Sequence, residues 1–295
     1  MNRAHRKQLL GAAGLLVAAG LGWTWWERHG LEISASPTVN PWLGATALIC
    51  LSAAIALQIV RTSWLMGCRP KGLTRPLLMA HGMNVWLPSM MGDLFEVWAV
   101  AKVAKKTKRS TLILLGHRFC GTVAALMVLA AIAIGPLAPS ISAALIAAAV
   151  GGYLLIDRTL EYWVRWLRVE SEDDDARPRP LGARATLAHL GLAVTQHGIE
   201  AAGVFFIGIA VGTAVAPGAA AGMVSIIEMI TYLPIPMGGA GANHWGATTA
   251  LQWLTPGRNT GLLVVTAHGL HVGLGAVTIG IASMLGRDDT PSHTA

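Results

Sequence analysis

Long apolar runs without charged residues alternate with short charged segments along the chain. The runs cover residues 8–26, 33–60, 119–156, 201–227 and 259–286. About 20 apolar residues suffice to cross a bilayer, so several runs predict complete spans. The run 119–156 is interrupted by a Gly/Pro break at 135–139 and is long enough for two helices. The pattern predicts an all-α, polytopic membrane protein with about six full transmembrane helices, near 8–26, 42–60, 111–134, 140–156, 188–212 and 259–285.

Basic residues set the orientation of these spans. With a cytoplasmic N-terminus, nearly all of the 22 Lys and Arg residues fall in cytoplasmic segments, namely 1–7, 61–75, 102–109, 157–187 and Arg287. Arg28 and Arg258 fall outside, and Arg118 lies just inside a span. This distribution follows the positive-inside rule and predicts a multi-pass protein of the bacterial inner membrane with both termini in the cytoplasm. It also accounts for the net charge of +7 without a nucleic-acid partner.

The first apolar run has the basic start of a signal peptide but not its end. Trp23, Trp25 and Trp26 follow the run where a small-residue cleavage site would stand, as in an interfacial anchor. Residues 1–30 are therefore expected to form an uncleaved first span.

Two apolar segments do not fit as single spans. Residues 76–101 begin and end beside cytoplasmic basic clusters, and residues 218–254 lie between two external loops. Each segment has a Pro/Gly break at its middle, at 87–92 and 233–238. Proline removes an amide donor and clashes with the preceding turn, while glycine permits a reversal of the chain. Both segments are predicted to be re-entrant helix pairs that enter from opposite faces.

The two breaks fall at equivalent places in two units of opposite topology. Residues 40–135 form the first unit and residues 188–286 the second, joined by a connecting span and a cytoplasmic loop at 136–187. The start of that loop, around Leu160 and Trp163, has the spacing of an interfacial helix. The chain is thus expected to be a single integral membrane domain, 1–295, built as an inverted repeat. In transporters, matched interrupted helices of this kind surround a site near the bilayer midplane.

Ionisable residues inside the membrane are costly and usually face a cavity or a partner. Those in the predicted membrane segments, with two Asn residues near the breaks, are His81, Asn84, Asp93, Glu96, His117, Arg118, His197, Glu200, Glu228, Asn243, His244, His268 and His271. Glycines precede the second half-helix of each break, where free amides and the helix dipole favour an anion. A phosphate headgroup is therefore a physically sensible ligand.

Each of these residues also has a structural interpretation. Asp93 could cap the second half-helix instead of contacting the substrate, and Glu96 stands at capping-box spacing from it. Glu228, in an otherwise uncharged helix, requires a proton or a cationic partner. Arg118 could extend to the interface or bind a lipid phosphate, which we favour.

His268 and His271 share a helix face, but no third ligand stands nearby, so polar packing or a proton relay is favoured over a metal pair. No nucleophile–base set or nucleotide-binding loop is recognisable, and neither an enzyme activity nor a cofactor is expected.

The residues around both breaks resemble a known family. Asn84-x-x-x-Pro88-x-x-x-Gly92-Asp93, the later Arg118, and Leu233-Pro234-x-Pro236-x-Gly238-Gly239-x-Gly241 are similar to motifs of the flippase-like domain family, the integral-membrane region of lysylphosphatidylglycerol synthases and its stand-alone relatives. The resemblance covers roughly 40–285. It implies movement of a lipid between leaflets, and not lipid aminoacylation, because no soluble transferase domain follows.

The sequence departs from this family at three places. Glu96 stands where the family has Arg, and Asn243-His244 stand where it has Glu. His117-Arg118-Phe119-Cys120-Gly121 replaces Glu-Arg-x-x-Asp. We hypothesise that Glu96 and His244 face each other as a reversed version of the family's pair.

The expected function is that of a lipid flippase for an anionic or phosphate-bearing lipid, or a lipid-linked intermediate, working by alternating access. Alternatives are an ion-coupled small-solute transporter and a non-catalytic membrane partner of a lipid-modifying enzyme. The residues expected at the substrate-binding or gating site are Asn84, Pro88, Gly92, Asp93, Glu96, Arg118, Glu228, Pro234, Gly238, Gly239, Gly241, Asn243 and His244.

Overall fold

A computed structural model describes residues 40–86, 91–104, 108–166, 181–213, 215–231, 247, 250–255 and 261–285. Every regular element in these ranges is an α-helix. The helices are α1 Pro41–Met66, α2 Pro70–Trp86, α3 Met91–Ala104, α4 Lys108–Ile134, α5 Pro139–Leu154, α6 Ile156–Trp166, α7 Gly182–Ala210, α8 Pro217–Thr231 and α9 Gly261–Met284. A short helical stretch also covers 250–254.

Four helices are long and apolar enough to cross a membrane, and they coincide with four of the predicted spans. They are α1, Leu112–Ile134 of α4, α7 and α9. The helix expected at 140–156 forms as α5, whose 16 residues make it shorter than these four. The expected first span, 8–26, lies outside the described residues. The all-α class is confirmed for the described residues, and the four apolar helices fit a multi-pass membrane protein.

Large apolar side chains on the outside of the bundle agree with this class. Trp42 is 81% exposed, Ile49 68% and Met284 78%. So much exposed apolar surface would promote aggregation in water. Against lipid acyl chains it is the expected surface.

Local signals fix both ends of α1. The Asn40 side chain accepts hydrogen bonds from the amides of Trp42 and Leu43, and Pro41 occupies the first turn. Gly67 ends the helix in the left-handed conformation, with φ of 63°, and its amide donates to carbonyl groups of the last turn. The helix therefore extends beyond the predicted limit of residue 60.

Helices from the two halves of the chain pack against each other. Helix α1 lies along α7, α2 packs against α9, and α4 packs against α8. The start of α1 meets the end of α7, where the Asn40 amide donates to the Ala210 carbonyl oxygen at 3.0 Å. The largest buried apolar cluster accordingly contains residues from both halves, from Ala47 to Ala282.

In both segments with a predicted break, the described residues before the break contact those after it. Helices α2 and α3 pack together on either side of 87–90. After α8, the stretch 250–254 comes back to the same helix, because a Cβ added to Gly222 would lie 2.6 Å from Leu254 Cδ1. The breaks themselves, at 87–90 and within 232–246, lie outside the described residues.

Helix α6 follows α5 directly and packs on α4. Leu160 covers Gly116 so closely that a Cβ there would lie 2.4 Å from it. Tyr162 and Trp163 point outwards and are 66% and 50% exposed. Leu160 thus packs against protein, whereas Tyr162 and Trp163 lie on the surface of the bundle, and the interfacial location stays a prediction.

Candidate functional site

A cavity lies between α1, α2, α7, α8 and α9. Its empty volume is about 800 Å³, including the part open to the surroundings. Apolar residues form most of the wall, and the polar groups that line it are Asn84, Glu200, Glu228, His268 and His271.

The cavity is close to the middle of the spans. At about 1.5 Å per residue, the lining residue Leu51 is about 15 Å from the start of α1, and Glu200 is about 15 Å from the end of α7. These two helix ends are adjacent. A hydrocarbon core of about 30 Å would therefore have its midplane near this cavity.

Two carboxyl groups meet in the cavity. Glu200 of α7 and Glu228 of α8 share a side-chain hydrogen bond. His197, one turn before Glu200, places Nδ1 3.1 Å from Glu200 Oε2. The His197 side chain is buried, at 4% exposure, whereas that of Glu200 is 17% exposed. The carboxyl pair therefore has a histidine on its protein side and the open cavity on the other.

Two further helices contribute histidines. His271 of α9 interacts electrostatically with Glu200. Its ring makes an edge contact with the ring of His81 on α2, with centroids 5.5 Å apart. The carboxyl pair thus lies beside histidines of α7 and α9.

A second polar region, which we call the buried basic cluster, comprises Arg61, His117, Arg118 and His189. Arg61 is 1% exposed, and Arg61 Nη2 donates to Thr122 Oγ1 at 2.8 Å. His189 is close enough to the other three groups to interact with them electrostatically. The sequence interpretation placed Arg61 in the cytoplasmic loop 61–75. The structure corrects this, because α1 continues to Met66 and Arg61 packs inside the bundle.

Tyr153 of α5 contacts two members of the buried basic cluster, His117 and His189. Its hydroxyl group donates to the His117 carbonyl oxygen at 3.0 Å, and His189 Nδ1 lies 2.5 Å from the same hydroxyl oxygen. The hydroxyl group has one hydrogen, so the His189 Nδ1–H donates to it. Trp64 stacks on the other side of His189, with ring centroids 6.2 Å apart.

The remaining member of the cluster, Arg118, pairs with an acid. Arg118 Nη1 and Glu96 Oε1 form an ion pair between α4 and α3. Their side chains are 14% and 1% exposed. Arg118 therefore lies inside the bundle with a carboxylate partner from the second helix of the first broken segment.

The predicted site residues fall into three groups. Asn84 and Glu228 line the cavity, and Glu96 and Arg118 pair with each other. Gly92 and Asp93 lie in the first turn of α3, which begins at Met91, so Asp93 is inside the helix and not at its cap; their side chains lie outside the described part. Residues wholly outside it are Pro88, Pro234, Gly238, Gly239, Gly241, Asn243 and His244. The Glu96–His244 pairing stays a prediction.

Several residues of both regions were absent from the predicted site. Glu200, His197 and His271 were recognised only as ionisable residues within the membrane segments. A signal for the first two existed, because His197 and Glu200 stand at i and i+3 on one helix face. Arg61 and His189 gave no such signal, since their neighbours come from other helices.

The described residues contain no group of three or more His, Cys, Asp or Glu side chains arranged to hold a metal ion. His268 and His271 both line the cavity, beside the carboxyl pair. Polar packing or a proton relay stays the prediction for these two histidines.

Comparison of the chain with protein-family models, curated proteins and solved structures gives no match.

Proposed function

We propose that the protein is a flippase-like transporter that moves a lipid with a phosphate-bearing headgroup across the bacterial inner membrane, with both termini in the cytoplasm. The observation that carries the proposal is a cavity with polar side chains inside an apolar bundle, with Arg61 and Arg118 close enough to interact electrostatically with His197, the partner of Glu200 in the cavity. The resemblance of the residues around both breaks to the flippase-like domain family points in the same direction.

The polar groups are themselves an argument for transport. Ionisable side chains in a membrane interior are expensive and mark substrate or ion pathways. The bundle holds acids and histidines in its cavity and also buries Arg61, although its outer face is apolar. A protein that only anchored a partner would not need this interior.

The packing of the helices supports an inverted repeat. If α1, α2 and α4 correspond to α7, α8 and α9, the α2–α9 contact has the α4–α8 contact as its equivalent. Both contacts occur, and α1 packs on its own counterpart, α7. Broken segments that gate a central site from opposite faces explain alternating access in such an architecture.

The arginines make a phosphate the best substrate group. A guanidinium group is always charged and offers two parallel donors to phosphate oxygens. Arg61 and Arg118 are both near His197, which also interacts with Glu228 of the cavity. In the proposed cycle the headgroup crosses through the cavity under the attraction of these charges, while the acyl chains stay in the bilayer.

The proposal is tested by reconstitution into vesicles that contain fluorescent lipids. Loss of outer-leaflet fluorescence on adding an impermeant reductant measures movement between leaflets. We expect anionic phospholipids and polyprenyl phosphates to move faster than a glycolipid without phosphate. Arg61→Gln removes one of the positive charges that attract the headgroup, so it should slow movement.

The matched control is Arg158→Gln, at an exposed position on α6. It should move lipid at the wild-type rate. Folding of each variant is checked by its elution from a sizing column in detergent. If folded wild-type protein moves none of these lipids, the proposal fails and a partner protein or a solute transporter takes its place.

A second candidate is an ion-coupled transporter of a small solute. The acids and histidines of the cavity favour it, because they can bind and release protons. This transporter would take up a solute into vesicles and leave the lipids where they are.

A further inference from the structure

The hydrogen bond between Glu200 and Glu228 bears on the number of protons that the two carboxyl groups hold. An ionised carboxylate only accepts hydrogen bonds, whereas a protonated carboxyl group can donate one. The two side chains are hydrogen-bonded to each other. The two carboxyl groups also line the same cavity, where two like charges repel each other strongly, so we expect the pair to hold one proton.

The groups around the pair can supply and remove that proton. His197 stands 3.1 Å from Glu200 on α7, and His271 of α9 lies next to Glu200 and against His81. His197 and His81 each have a buried Nε2 without a hydrogen-bond partner among the described residues. Asn84 of α2 and His268 of α9 also line the cavity beside the pair, and Arg61 of α1 and Arg118 of α4 interact electrostatically with His197.

The charge of the cavity depends on how many protons the pair holds. With one shared proton, the two carboxyl groups carry one negative charge. That charge repels an anionic headgroup, and the repulsion is strong in a medium of low dielectric constant. A second proton neutralises the pair, so that uptake of one proton together with one anionic headgroup leaves the cavity charge unchanged.

We propose that the Glu200–Glu228 pair is a proton carrier and that the protein moves an anionic lipid together with a proton in the same direction. The inference rests on the proposed lipid transport. The pair takes up one proton from water on the side where the headgroup enters. It releases that proton to water on the side where the headgroup leaves, and no covalent bond other than the O–H bond changes.

Infrared spectroscopy tests the shared proton without any lipid transport. Purified protein at neutral pH should show the C=O stretching band of a protonated carboxyl group. Glu200→Gln and Glu228→Gln should each remove this band, and Glu161→Gln on α6 should keep it. If neither Glu200→Gln nor Glu228→Gln changes the spectrum, the proposal that this pair carries a proton is wrong.

A pH gradient across vesicles tests the coupling. The vesicles contain wild-type protein and fluorescent phosphatidylglycerol, and a potassium ionophore holds the membrane potential at zero. With the outside acidic, we expect the label to leave the outer leaflet to a greater extent than without a gradient, and a protonophore should abolish the difference. Protein-free vesicles correct for movement of the lipid alone.

The outcomes separate the two proposals. If the label moves but its final distribution ignores the gradient, proton coupling is wrong and lipid transport stands. If the label does not move at all, lipid transport is wrong and coupling falls with it, while the infrared spectrum still decides whether the pair holds a proton.

Discussion

The cavity and the buried basic cluster are both polar regions inside an apolar bundle, but they are packed differently. In the cavity, Glu200 and Glu228 face empty space. The buried basic cluster is tightly packed, because a Cβ added to Gly121 would lie 2.7 Å from His189 Nδ1 and 2.9 Å from the Tyr153 hydroxyl oxygen. One region can change its charge and contents, whereas the other is held by close contacts.

This difference separates two tasks that a transporter must combine. Fixed cations attract an anion in every state, so they do not release it on their own. A neighbouring group with adjustable charge allows entry and release. His197 lies where the two regions meet, since it interacts electrostatically with Glu228 as well as with Arg61 and Arg118.

The largest loss of stability is expected from Glu96→Gln. The change removes the charge that compensates Arg118, and breaking a buried ion pair costs about 3 kcal/mol, the lower end of the usual range because Arg118 is partly exposed. Denaturation in mild detergent measures the free energy of unfolding. The Glu96→Gln/Arg118→Met double variant should recover most of the loss, and Glu161→Gln serves as the control. A single variant as stable as wild type would contradict the structural role of the pair.

A smaller loss is expected from Tyr153→Phe. This substitution removes the hydrogen bond to the His117 carbonyl oxygen and takes the acceptor away from the His189 Nδ1–H, which costs about 1–3 kcal/mol in the free energy of unfolding. The matched control is Tyr162→Phe, at a 66% exposed position on α6, which should leave stability unchanged. Equal stabilities of the two variants would show that the cluster is not held as described.

The smallest change in stability is expected from Glu228→Gln. A glutamine amide can replace the protonated carboxyl group in the hydrogen bond to Glu200, so unfolding should change by less than about 0.5 kcal/mol. Lipid movement should nevertheless fall about 10-fold, equivalent to about 1.4 kcal/mol in the barrier. A loss of stability as large as that of Tyr153→Phe would remove the distinction between the two regions.

Hydropathy predicted the helices well and their partners poorly. The spans at 42–60, 111–134, 188–212 and 259–285 correspond to helices because about 20 apolar residues have few alternatives in a bilayer. The boundary after residue 60 was wrong because charge alone was taken to end a span. Inside the bundle, Arg61 donates a hydrogen bond to Thr122, a residue of another helix that the charge pattern does not reveal.

The site was predicted in part for the same reason. Glu228 and Asn84 stood out as polar residues near a break, and both line the cavity. Glu200 did not stand out, because the residues that it interacts with in the cavity, Glu228 and His271, belong to other helices. Its role depends on helix packing, which a periodic pattern does not encode.

The packing of α1 against α7 also has a consequence for biogenesis. A ribosome adds about 5–20 residues per second, so about 7–30 s pass between completion of α1 and completion of α7. During this interval α1 sits in the bilayer with lipid in place of its final neighbour, and α2 and α4 likewise precede α9 and α8. Insertion and assembly are therefore separate events for this chain, and the native bundle closes only after α9, the last described helix, has left the ribosome.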